Sequence, residues 1–154
     1  MTKTIANISR TRLLKFLSVV LLITTFVGCG KDKTYDPEIL VTSQQSYDQA
    51  IEQLAEDNTE AALGLLDVAL QPGGGLTPDI HVDARVKRAI VHAKLEHFED
   101  AHSDLDVAAQ GAADMSAVHV ARSFVFSKEG KSKESKTEMS LAKKLKKSAK
   151  AIRD

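Results

Sequence analysis

The apolar residues of this chain follow two different patterns. Near the start, an uncharged stretch runs from Phe16 to Val27, after four basic residues and no acidic one. It is short for a transmembrane helix, which takes about 20 apolar residues to cross a bilayer. Basic residues, a short apolar run and then a small residue at Gly28 are the layout of a secretory signal. We therefore expect residues 1–28 to be a signal peptide.

From about residue 43 the apolar positions favour helices, and they repeat. The segment "LDVALQ" at 66–71 returns as "LDVAAQ" at 105–110, so a first offset carries Leu66 to Leu105. A second, slightly shorter offset carries Leu105 to Met139 and gives a weaker third copy. No stretch has the alternating apolar pattern, rich in Val, Ile and Thr, that is typical of a strand. The sequence predicts an all-α fold of about three stacked antiparallel helix hairpins, followed by a basic C-terminal helix.

The stretch "RAIVHAKLEHFEDAHSDLDVAAQ" resembles a tetratricopeptide repeat, a pair of antiparallel helices. The family pattern places small residues where helices approach and large ones between them. The matching residues are Ala89, Phe98, Ala101, Leu105 and Ala108. The resemblance covers residues 43–146 and implies a short solenoid, with 147–154 as a helix end or frayed tail. The longer connection "QPGGGLTPD" is expected to hold the first hairpin away from the second, and Thr77 to cap the helix after it.

Family resemblance also implies a function, which is to bind other proteins in a groove lined by the first helix of each hairpin. In this register the lining residues are Tyr47, Ile51, Leu54, Val86, Ile90, Lys94, Val120, Phe124 and Lys128. Because most of them are apolar, the groove suits a helix or an extended peptide of a partner protein. The alternative for each apolar member is a place in the core.

Cys29 is the single cysteine and directly follows Gly28, so the chain cannot form an internal disulfide. The segment ending at Cys29 resembles the lipobox of bacterial lipoprotein signal peptides. This implies that Cys29 becomes the acylated first residue, that residues 29–42 form a tether, and that the protein is lipid-anchored in the cell envelope. By the family rule, Gly30 after the cysteine favours the outer membrane facing the periplasm. Ordinary secretion and an uncleaved anchor are the alternatives.

Charge is unevenly distributed along the chain. Residues 30–127 hold 7 basic and 17 acidic groups, whereas 128–154 hold 10 and 4. A helix over the last residues would place Leu141, Leu145 and Ile152 near one face. The basic residues on the rest of its surface are Lys143, Lys144, Lys146, Lys147 and Lys150. Such a helix suits an anionic membrane surface, which gives an alternative function, or it closes the solenoid.

The sequence contains no recognisable catalytic constellation. His92, His97 and His102 recur at intervals of five, which places them on different faces of a helix, whereas zinc sites on one helix use a spacing of four. A metal site assembled from His97, Asp100 and His102 is the one alternative. We predict no catalytic residue, metal, cofactor, small-molecule substrate or nucleic-acid partner. The predicted function is that of a lipid-anchored envelope adaptor or scaffold that binds an envelope protein or peptide.

Overall fold

The computed structural model describes residues 37–153, which form helices and turns and no β-strand. The six helices are α1 (Pro37–Ala55), α2 (Thr59–Ala69), α3 (Pro78–Lys94), α4 (Phe98–Gly111), α5 (Met115–Lys128) and α6 (Ser132–Leu145). Predictions that concern the signal peptide, Cys29 and most of the tether lie outside this range. Within it, the all-α prediction is confirmed.

Consecutive helices pair as three antiparallel hairpins, α1 with α2, α3 with α4 and α5 with α6. The hairpins stack because α2 packs on α3 and α4 packs on α5. The first helices α3 and α5 also pack directly on each other. Between α1 and α3 the Tyr47 hydroxyl donates to the Asp83 carboxylate. The arrangement is the short helical-repeat solenoid that the sequence predicts.

The small residues predicted at the helix crossings are buried. Ala89, Ala101 and Ala108 have 0% exposure, and their counterparts at the two offsets have 0% or 1% exposure, namely Ala50, Ala62, Ala69 and Ala142. In the third hairpin a serine pair replaces two of the alanines, and the Ser135 hydroxyl donates to the Ser123 carbonyl oxygen at 2.8 Å. Small side chains let the paired helices approach closely. Their burial is consistent with close helix packing at the positions that recur along the chain.

The three hairpin turns share one backbone geometry. Each contains a residue in the left-handed region, namely Asp57 (φ 60°), Glu96 (φ 64°) and Gly130 (φ 78°). The same two offsets that relate the helices carry Asp57 to Glu96 and Glu96 to Gly130. In each turn, the residue after the left-handed one donates its backbone N–H to the carbonyl oxygen five residues earlier. The donor–acceptor distance is 2.9 Å from Asn58 to Gln53, 2.8 Å from His97 to His92 and 2.8 Å from Lys131 to Phe126. This bond ends the first helix of each hairpin and turns the chain into the second.

The connection between α2 and α3 is packed against the first hairpin. Leu76 contacts the core that α2 and α3 share, and a Cβ on Gly74 would lie 2.5 Å from the Ser43 hydroxyl oxygen. The predicted cap is present, because the Thr77 side chain accepts the Ile80 N–H at 3.5 Å. The expectation that this connection separates the hairpins is wrong for α2, which packs on α3. The expectation fits α1 better, because α1 packs less closely on α3 than α5 packs on α3.

The chain leaves the helical conformation after Leu145. Lys146 has an extended backbone (φ −140°, ψ 105°), so the predicted helix through Ile152 is wrong. Leu145 is 60% exposed, whereas Ile152 packs against the core that contains Val86 and Phe124. Because the helix ends at Leu145, Ile152 does not share a helix face with it.

Candidate functional site

The apolar residues predicted to line the groove differ in exposure. Val86 and Phe124 are 9% and 6% exposed and belong to the core shared by the second and third hairpins. Ile51, Ile90 and Val120 are half-buried. These three side chains come from α1, α3 and α5, one from each hairpin. Each of the three therefore keeps part of its apolar surface exposed, and Ile90 also packs against the core shared by the second and third hairpins.

Tyr47 and Leu54 lie against the second core, which the first hairpin shares with α3. Burial, followed by the hydrogen bond to Asp83, raises the pKa of the Tyr47 hydroxyl above its usual value. The neutral hydroxyl is therefore the form that holds this contact. Tyr47 joins α1 to α3, which is a structural use of a residue predicted to bind a partner.

The two lysines predicted to give polar contacts both interact within the chain. Lys94 Nζ lies 2.8 Å from Asp57 Oδ1, and this hydrogen-bonded pair lowers the pKa of the Asp57 carboxyl. Lys128 Nζ lies 5.6 Å from the centre of the Phe124 ring, a cation–π distance. Lys94 is half-buried and Lys128 is exposed.

A buried ionic network, which sequence reasoning missed, joins the first two hairpins. Asp104 is 4% exposed and accepts two hydrogen bonds of 2.7 Å from Arg88 and one of 2.9 Å from Arg85. Arg88 also donates to Asp67 of α2 at 2.8 Å. The bonds to Asp104 raise the pKa of the Arg88 guanidinium. Arg88 is thus held by carboxylates from two hairpins at once.

The next junction carries an equivalent ion pair. Arg122 of α5 donates to Asp106 of α4 at 2.7 Å. The second offset carries Arg88 to Arg122, and the first carries Asp67 to Asp106. The repeated "LDV" contains this aspartate, so a signal for the pair was present in the sequence echo. Both junctions between hairpins therefore use the same Arg–Asp contact.

Two of the histidines pair with glutamates. His119 Nδ1 lies 2.6 Å from a Glu138 carboxylate oxygen. His102 Nε2 lies 3.2 Å from Glu129 Oε1, and its ring centre is 5.0 Å from that of Phe126. His102 therefore does not join His97 and Asp100, with which it was considered as a metal ligand.

His92, instead of His102, lies close to His97 and Asp100. The ligating atoms of His92, His97 and Asp100 all lie within 4.8 Å of one another. The two imidazole rings are 5.7 Å apart at an angle of 49°. His92 lies in the last turn of α3 and His97 at the cap of α4, so the left-handed turn at Glu96 brings them together. The sequence spacing of five hides this because the turn falls between them.

The predicted basic surface is exposed to solvent. Its members Lys143, Lys144, Lys146, Lys147 and Lys150 are all exposed. Lys146 Nζ is 3.7 Å from Asp114 Oδ2, with both side chains more than half exposed. Such an exposed pair is weak, so the charge of this surface remains available.

The lipid anchor predicted at Cys29 falls outside residues 37–153. Over that range, none of the helices has both the length and the apolar content needed to cross a membrane. No family model matches the chain, and comparison with curated proteins and with solved structures gives no match either.

Proposed function

We propose that this protein is a lipid-anchored adaptor or scaffold of the bacterial cell envelope that binds a partner protein through its first helices. The observation that carries the proposal is a set of three half-buried apolar side chains, Ile51, Ile90 and Val120, one on the first helix of each hairpin, which we call the apolar row. A helix or extended peptide laid across the row would bury their remaining surface. Lys94 and Lys128 would flank such a ligand with positive charge.

The charged groups of the stack support an apolar mode of recognition. Asp104 is paired with Arg85 and Arg88 within the chain, and an Arg–Asp pair lies at each junction. Separating Asp104 from its arginines would be costly, because a buried charge without its partner is destabilising. The apolar row, in contrast, could contact a partner protein without breaking an ion pair within the chain.

Lipid attachment at Cys29 would make a weak contact sufficient. Two or more acyl chains anchor a protein stably where one does not, since each buried methylene contributes about 0.8 kcal/mol. The structure places residues 37–42 of the predicted tether in α1, so residues 29–36 would tether the hairpins to the outer membrane on its periplasmic side. Confinement near the membrane raises the effective concentration of a partner located there. The proposed mechanism is therefore avidity rather than high affinity at the groove.

Crosslinking in the native cells tests the groove. The variant Val120→Asp places a charge in the apolar row, and Val107→Asp makes the same change on α4, where Val107 is 40% exposed. We expect a specific envelope protein to be lost from the crosslinks of Val120→Asp and retained with Val107→Asp. Both variants must first keep the wild-type circular dichroism and melting midpoint. Identical crosslinks in the two variants would show that the row binds no partner.

Intact-mass analysis of the membrane fraction tests the anchor. The expected chain begins at an acylated Cys29, and Cys29→Ala should release the protein from the membrane. An unmodified chain that starts elsewhere would refute the lipoprotein proposal, while leaving the groove to be judged by the crosslinks.

A second candidate function is direct binding to anionic lipid, favoured by the exposed lysines around Leu145, which is itself 60% exposed. The Cys29→Ala chain, mixed with vesicles of anionic and of neutral lipid, separates the two functions. A lysine surface bound to anionic lipid should be released as ionic strength rises. An apolar contact with a protein should persist under the same conditions.

A further inference from the structure

The residue pair that brackets each hairpin turn is in contact in all three hairpins, but with different chemistry. In the first, the Asn58 amide donates to the Gln53 side-chain oxygen at 3.1 Å. In the third, the Lys131 ammonium lies 5.8 Å from the centre of the Phe126 ring. The middle hairpin has His92 and His97 at these positions. Of the described turns, this one brings two metal-ligating side chains together and adds a carboxylate, Asp100.

The His92 ring has an unsatisfied nitrogen. Its Nδ1 atom is buried and has no hydrogen-bond partner among the described residues. Buried polar atoms in proteins almost always have a partner, so an exception calls for an explanation. No hydrogen bond within the described chain joins the His92 and His97 rings, in contrast to the amide pair of the first hairpin. The orphaned nitrogen is an observation independent of the clustering, and it points to a ligand at this ring.

Burial lowers the pKa of the His92 imidazole, an effect that Arg88 reinforces and that Asp104, Asp100 and Asp67 oppose. Asp100 supplies an exposed carboxylate in the first turn of α4.

We propose that His92, His97 and Asp100 bind a divalent transition-metal cation of the zinc type. Two imidazoles and one carboxylate are a common zinc ligand set, with a fourth position left for water. Ligand atoms around tetrahedral zinc lie about 3.4 Å apart, closer than the 4.8 Å limit of this cluster. His97 and Asp100 are exposed, so rotation of their side chains can close the difference while the helix holds His92.

The cation would link the end of α3 to the start of α4 across the strained turn at Glu96. This site lies at the turn and does not depend on the proposed adaptor function. His102, which pairs with Glu129, is the natural control residue on the same helix as Asp100.

Zinc titration of the full untagged chain, purified in detergent and stripped with a chelator, tests the proposal. Calorimetry with Zn²⁺ and visible absorption with Co²⁺ should each report one cation per chain. His97→Ala and Asp100→Asn should each weaken binding at least about tenfold, by comparison with the effect of losing outer-shell partners. Both residues are exposed, so both variants should fold; His102→Ala should bind as the wild type does.

Thermal melting provides a second readout. Zinc should raise the melting temperature of the wild type and of His102→Ala, because a cation bound to the folded state stabilises it, and should leave His97→Ala unchanged. Lack of wild-type binding at micromolar zinc would overturn the proposal. So would wild-type affinity in His97→Ala, since the cation would then lie elsewhere.

Discussion

Ala101 lies fully buried in the core that the second and third hairpins share. Its methyl group leaves no room for a larger side chain, so Ala101→Leu should lower the free energy of unfolding by about 1 to 3 kcal/mol. Urea denaturation measures the change. Ala61→Leu, on the exposed face of α2, is the control and should shift stability by less than about 0.5 kcal/mol. Equal midpoints for the two variants would mean that Ala101 is not a close-packed position.

Asp104 and Asp106 show how burial changes the importance of an ion pair. Asp104 is 5% exposed at its side chain and Asp106 is 72% exposed, although each accepts a 2.7 Å bond from an arginine. We expect Asp104→Asn to cost about 2 to 4 kcal/mol, somewhat less than for a fully buried pair because its arginines keep some exposure. Asp106→Asn should cost under about 1 kcal/mol. Denaturation that gives equal losses would contradict the structural role of the buried network.

The turns are the elements in which local strain can be measured. Glu96 and Gly130 occupy equivalent left-handed positions, where glycine is the residue without steric cost. Glu96→Gly should therefore stabilise the protein by about 0.5 to 1 kcal/mol. Gly130→Ala should destabilise it by about 1 to 2 kcal/mol through backbone strain alone, since no atom lies within 4 Å of the added Cβ. Opposite signs in thermal melts are the expected result, and equal signs would refute the shared turn geometry.

Helix packing was predictable from the sequence because small residues recur at fixed offsets; the same first offset relates the helix starts at Thr59 and Phe98. The end of α6 was not predictable in the same way. Residues 146–152 contain good helix formers, but Ile152 packs on a core built by distant hairpins. Because this contact joins residues far apart in the sequence, a local pattern does not predict it.

The candidate sites were less accessible to sequence reasoning than the hairpins. The groove register followed from the repeat, but the burial of Phe124 depends on packing between hairpins. Charge signs were visible along the chain, whereas the pairing of Arg88 with Asp67 and Asp104 requires the stack to be known. The His92–His97 contact depends on a left-handed glutamate, and nothing in the residue type of Glu96 marks that conformation.

At the scale of the whole molecule, half-buried histidines couple stability to pH. Burial lowers the pKa of His81 and of His92 in the folded chain, while a histidine of the unfolded chain titrates near about 6.5. Below that pH the unfolded chain binds protons that the folded chain does not. The free energy of unfolding should therefore decrease as the pH falls from about 7.5 toward about 5.5.

Urea denaturation across this range, with a chelator present to exclude metal effects, measures the slope. His92→Gln introduces the residue type found at the equivalent position of the first hairpin, Gln53, and should make the slope shallower. A free energy of unfolding that does not change with pH in the wild type would contradict the predicted role of these histidines. So would an equal slope in the wild type and in His92→Gln.

The Arg–Asp contact between hairpins has a consequence for how the chain can grow. Gln49 replaces the arginine in the first hairpin and Ser140 replaces the aspartate in the third, whereas the middle hairpin has both Arg88 and Asp106. A tandem copy of the middle hairpin would therefore meet a complementary residue on each side. Duplication of the coding segment for the middle hairpin would therefore lengthen the stack, and each added junction would keep the same Arg–Asp contact.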